Sequence, residues 1–180
     1  MNPSANTPSS AARPDAALDA LCRELAALLH SHGWMLATAE SCTGGLVAAA
    51  CTDVAGSSQW FERGYVCYAN ASKFEMLGVD SGMIANHGAV SEPVVRAMAQ
   101  GALAHSRAQV SVAVSGIAGP DGGTDDKPVG TVWFAWETPG VLRSEKQRFT
   151  GDRGAVRQAA VQHALKTLLE IVQSAPAAHR

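Results

Sequence analysis

Leu18, Leu21, Cys22, Leu25, Leu28 and Leu29 recur at the spacing of one helical face. Gly33 follows where a left-handed glycine would stop a helix, so 15–32 predicts an amphipathic helix. The apolar run 34–39 predicts a buried strand, and the small-residue stretch over about 43–52 a helix closed by the loop 54–58. A second strand is expected over 64–69, then Asn70 and a short helix over 71–77. Residues 78–90 hold no clear period and predict a connecting loop with a turn of helix. Ser91 is a suitable N-cap for a helix over 92–106, with Pro93 tolerated in its first turn. The β-prone run 110–115 stops at the glycine-rich loop 116–124, and 130–137 with 142–149 predict an antiparallel hairpin around Thr-Pro-Gly. Asp152 caps a last helix over 153–172. Helices between most strands predict an α/β fold, a three-layer α/β/α sandwich with a mixed sheet.

A chain of 180 residues suffices for one domain with a substantial core and is short for two. The Ser, Pro, Ala and Asn-rich stretch 1–14 and the segment 174–180 are expected to be disordered tails, leaving a domain over 15–173. Fourteen basic and sixteen acidic residues give a net charge of -2 without a block of like charge, which argues against nucleic acid as a partner. No apolar run approaches the roughly 20 residues that span a bilayer, and the N-terminus lacks a signal-peptide core. The four cysteines form no CxxC pair, so reduced thiols and a cytoplasmic location are expected. Among the histidines only His30 and His32 are close, and they fall on different helical faces, so no metal is expected.

The segment ATAESCTGGLVAAA, 37–50, carries the richest chemistry, because it sets a serine and a threonine at a strand-to-helix junction before two glycines. Gly44 and Gly45 would let a ligand approach the backbone, and free N–H groups of the first helical turn would face an anion. Ser41 reads either as an N-cap or as a nucleophile whose oxyanion is received by N–H groups at Cys42 to Gly44. The segment is not GxSxG, which argues against an α/β-hydrolase elbow. His87, Lys73 and Glu40 are candidate bases, and spacing decides none of them. A lysine serves if burial lowers its pKa. The loop 116–124 fits no Walker or Rossmann fingerprint, although Gly116 and Gly119 could admit a phosphate or ribose.

TAESCTGG at 38–45, AGSSQWFERGYVCYANASK at 55–73, HGAVSEPVV at 87–95, SGIAGPDGG at 115–123, KPVGTVWFA at 127–135 and GDRGAVR at 151–157 together resemble the CinA C-terminal domain family, in particular its stand-alone nicotinamide-nucleotide amidohydrolase members. The resemblance covers about 18–172. It implies hydrolysis of the carboxamide of nicotinamide mononucleotide to nicotinate mononucleotide and ammonia, without a cofactor. It implies Ser41 as nucleophile, Lys73 as base and Tyr68 as third catalytic member. CYANASK departs from the SYSNEAK-like pattern at Cys67, Ala69 and Ala71 among others but keeps Tyr68, Asn70 and Lys73. The N–H groups of Thr43 and Gly44 are oxyanion candidates, and Gly45 and Asn70 join them as substrate-binding positions. For the 5′-phosphate the candidates are Thr43, the loop with Gly116 and Gly119, and Arg153, which could instead pair with Asp152 or Glu145. The small-molecule mononucleotide would be the partner, and relatives resemble homodimers. Two other readings compete: a non-catalytic competence or DNA-damage-associated binding module, and a Ser-Lys amidase for another small carboxamide.

Overall fold

The computed structural model describes residues 15–176. The expected tails lie outside those residues, except that 174–176 are described and Ser174 is still helical. The elements run α1 (Ala16–His32), β1 (Leu36–Glu40), α2 (Leu46–Thr52), β2 (Phe61–Val66), α3 (Asn70–Leu77), α4 (Ser81–His87), α5 (Glu92–Ala104), β3 (Val110–Gly116), β4 (Thr131–Thr138), β5 (Val141–Arg148) and α6 (Arg153–Ser174). The strands form one sheet in the order β2-β1-β3-β4-β5. β1 is parallel to both β2 and β3, whereas β4 is antiparallel to β3 and to β5, so the sheet is mixed.

Strand alternation sorts the core into two layers. Leu36 on β1, Val110, Val112 and Val114 on β3, and Val132, Phe134 and Trp136 on β4 pack against α1, α2 and α6. The indole of Trp136 donates to the Ala164 carbonyl of α6 at 2.8 Å, which satisfies its one polar atom. The alternate residues Ala37, Ala39, Ala113 and Ala135 face α3, α4 and α5. Their small side chains let that layer lie close to the sheet. At Gly101 of α5 a Cβ would come within 2.1 Å of the Leu77 carbonyl, so α5 crosses the end of α3 where only glycine fits.

Several boundaries differ from the sequence expectations, each for a local reason. β1 starts at Leu36 because the Trp34 amide still donates to Leu29 and closes α1. α2 begins at Leu46, since Gly44 and Gly45 sit at φ +60 and +96 in a turn that a helix cannot absorb. β2 lies three residues earlier than expected at both ends. The expected loop 78–90 contains α4, nucleated by Asp80, whose carboxylate accepts from the Met83 amide at 2.7 Å.

The chain leaving β1 enters α2 on one face of the sheet, and the chain leaving β2 enters α3 on the other. The carboxyl ends of these neighbouring parallel strands therefore part into a crevice, the usual ligand position in an open α/β sheet.

Candidate active site

Ser41 follows β1 immediately at its carboxyl end, with its amide still donating to Val114 of β3 at 2.9 Å. Residues 41–44 form a turn closed by the Gly44 amide on the Ser41 carbonyl at 3.0 Å. Ser41 is therefore not the N-cap of α2; that position belongs to Gly45. Gly44 and Gly45 are needed for this path through left-handed backbone, and added side chains there would press on Arg157 and Val66.

Glu40, expected as a possible base, caps α2 instead. The residue is 1% exposed, and its carboxylate accepts from the Thr43 hydroxyl at 2.8 Å and from the amides of Gly45, Val47 and Ala48 at 2.9, 3.0 and 2.8 Å. The first-turn donors expected to face an anion are thus held inside the fold by a carboxylate of the chain itself. The Leu46 amide goes to Thr43, so among the described residues only the amides of Cys42 and Thr43 are left without an acceptor between 42 and 48. Both residues are buried, and of the two amides that of Cys42 lies in the peptide group directly after Ser41, which makes it the candidate donor beside the serine.

Lys73 comes from the first turns of α3, is 1% exposed, and meets Ser41 across the crevice. Its Nζ lies 3.2 Å from Ser41 Oγ, 3.0 Å from the Cys67 carbonyl and 3.2 Å from the Tyr68 carbonyl. Carbonyls can only accept, so two of these contacts consume amine N–H groups. A neutral lysine then keeps its lone pair for the third direction, which is Ser41. Burial lowers the Lys73 pKa from that of an ordinary lysine and so favours the neutral amine. Burial also pushes the thiols of Cys42 and Cys67 up to about 11, so the cysteine beside Ser41 is a neutral thiol near pH 7.

The remaining expected positions fall into two groups. Arg153, at the start of α6, donates to the Tyr68 hydroxyl at 3.0 Å and to the Gly119 carbonyl at 2.9 Å, pairing with neither Asp152 nor Glu145. It thereby joins Tyr68 to the loop that holds Gly119. Tyr68 is 58% exposed, and its hydroxyl bonds Arg153 rather than Ser41 or Lys73. Gly116 ends β3 where a Cβ would meet Val132 and the Thr131 carbonyl, so its place is fixed by packing. Asn70 is exposed and lines a shallow cleft with Ala71, Ser81 and Ile84 between α3 and α4. His87 ends α4, where its carbonyl accepts from Lys127.

Arg157 was not singled out by the sequence. It donates from Nε to the Cys42 carbonyl at 3.1 Å and from Nη2 to the Thr43 carbonyl at 3.0 Å. The signal lay in GDRGAVR: Arg153 and Arg157 are four residues apart on α6 and share a face. Among the described residues neither guanidinium pairs with a carboxylate, and no group of three or more His, Cys, Asp or Glu could hold a metal.

Fold and site together define a three-layer α/β domain that seats a buried lysine against a strand-end serine at its sheet crevice. Residues 18–172 match the CinA C-terminal domain, and the chain belongs to that family. It is 54% identical over 157 residues to the nicotinamide-nucleotide amidohydrolase PncC of Escherichia coli K12, covering 86% of this chain and 94% of that protein. The protein of the same name from Pseudomonas putida is 56% identical over 134 residues, covering 74% and 84%. The crystal structure of competence damage-inducible protein A from Klebsiella pneumoniae superimposes with a TM-score of 0.85 at 41% identity, covering 88% of this chain and 99% of that one.

Proposed function

We propose that this chain hydrolyses the carboxamide of nicotinamide mononucleotide to nicotinate mononucleotide and ammonia, through an acyl-enzyme on Ser41. The observation that carries the mechanism is the 3.2 Å approach of Lys73 Nζ to Ser41 Oγ, with two carbonyls holding the amine. The substrate follows from the nicotinamide-nucleotide amidohydrolases that the chain resembles over most of its length.

Ser41 Oγ attacks the amide carbon while its proton passes to Lys73 Nζ. The carbonyl electrons move onto oxygen, which the Cys42 N–H faces, with Thr43 lining the same turn. The C–N bond then breaks, and the nitrogen leaves as ammonia with the proton returned from Lys73. Water attacks the ester by the same route, giving its proton to Lys73, and Ser41 recovers a proton as the acid departs. Arg153 offers a cation to the 5′-phosphate, supported by its contact with only neutral oxygens. Gly119 and Tyr68 hold that guanidinium in place. The reaction needs no cofactor or metal, runs in the cytoplasm on a free small molecule, and belongs to a homodimer.

The test is ammonia release from purified protein given nicotinamide mononucleotide, with nicotinamide and the riboside alongside. Turnover of the mononucleotide that disappears in Ser41→Ala, with an unchanged circular dichroism spectrum, is the expected result. Preference for another carboxamide would move the reading to a different amidase. Inertness towards all of them would leave the non-catalytic binding module in its place.

A further inference from the structure

We infer that Arg157 is a positioning residue that orients and polarises the Cys42 N–H through two peptide groups. Each link is a short contact. Arg157 Nη2 donates to the Thr43 carbonyl at 3.0 Å. A trans peptide group is planar, with its C=O and N–H pointing in opposite directions, so fixing that carbonyl fixes the Gly44 N–H. The Gly44 N–H donates to the Ser41 carbonyl at 3.0 Å. Fixing that carbonyl in turn aims the N–H of the same peptide group, which is the Cys42 amide beside Ser41 Oγ. Arg157 Nε holds the intervening peptide through the Cys42 carbonyl at 3.1 Å, so three successive planes of the turn are locked from one guanidinium.

Charge moves along the same path. A cation on the Thr43 carbonyl makes the Gly44 N–H a stronger donor, and that bond strengthens the Cys42 N–H in turn. Glu40 does not compete, because its carboxylate takes the amides of Gly45, Val47 and Ala48 instead. Gly44 fits the arrangement from the other side: a Cβ there would stand 3.3 Å from Arg157 Nη2. The role in acyl transfer rests on the amidohydrolase reading. Its chemistry, stabilising the oxygen of any carbonyl that Ser41 attacks, does not depend on which carboxamide is the substrate.

The experiment therefore uses an activated ester, 4-nitrophenyl acetate, beside the mononucleotide. Ser41 Oγ bonds to the acetyl carbon, its proton goes to Lys73, and 4-nitrophenolate leaves with the electron pair and is read by its colour. Ser41→Ala supplies the blank. Arg157→Ala is expected to slow acylation of Ser41 about tenfold to a hundredfold, on the scale of a misaimed oxyanion donor. KM for the mononucleotide should move by less than about threefold. Millimolar guanidinium, far below denaturing concentrations, should restore part of the rate. Arg157→Lys keeps the charge but lacks the fork that spans two carbonyls, and is expected to lie between. It decides the matter if the alanine variant does not fold.

Acylation at the wild-type rate in either folded variant would overturn the inference. So would a raised KM with unchanged acylation, which would make Arg157 a phosphate ligand. A wild type that deamidates no mononucleotide but acylates Ser41 in an Arg157-dependent way would sink the proposed substrate and keep the clasp. A wild type whose Ser41 never acylates would sink both.

Discussion

At the scale of single residues, Lys73 stands out as a buried lysine in surroundings that disfavour its charge. Burial lowers its pKa, so kcat/KM is expected to rise with pH along a limb centred below the 10.5 of a free lysine. Lys73→Arg should abolish that activity, since a guanidinium stays protonated. The same shift leaves a mark on stability. The unfolded chain holds the lysine proton more tightly than the native one, so stability rises with pH between the lowered native pKa and 10.5. Urea unfolding at several pH values should show that slope in the wild type and a flatter one in Lys73→Met. Equal slopes would mean that the amine is not held neutral. Ser41 and Lys73 were legible because both lie in segments that resemble family motifs. Their approach across 32 positions of sequence was not, since no local periodicity encodes a contact between the end of one strand and the helix that follows another.

At the scale of elements, the sequence placed the helices and strands well wherever a long apolar period ran, as in α1 and β3. It failed where one residue acts at a distance. Glu40 reads as a strand-end carboxylate, yet it caps a helix that starts six residues later. No N-cap pattern announces that, because the cap reaches over an intervening glycine turn. Removing it in Glu40→Ala strands the Thr43 hydroxyl and three amides. A loss of about 2–4 kcal/mol is expected in chemical denaturation, with a smaller loss for Glu40→Gln, which keeps part of the acceptor set. Helix packing offers an independent check. Gly101→Ala puts a methyl group against the Leu77 carbonyl and should cost about 1–3 kcal/mol by overpacking, read in chemical denaturation.

At the scale of the whole molecule, the layered sheet was expected from helices alternating with strands, but its order was not, because β3 lies beside β1 and only the folded topology says so. That order puts the crevice at the β1–β2 end and leaves the β4–β5 hairpin to brace α6, the helix that carries Arg153 and Arg157 to the site. His163 sits in that brace, against Phe134, Trp136 and Phe149 and 3.4 Å from Glu145. Burial, helped by Arg143 and Lys166, lowers its pKa against the opposing pull of Glu145 and Glu170. The unfolded chain therefore takes up a proton near pH 6.5 that the native chain resists. The histidine's contribution is whole above that pH and is lost as pH falls towards its lowered native value. Acid thus weakens the brace behind the helix that carries Arg153 and Arg157. His163→Phe keeps an aromatic ring in the cluster and removes the titration. Its Tm should fall less than that of the wild type between about pH 7 and pH 5. If both fall equally, the acid sensitivity of this half of the molecule lies in another group.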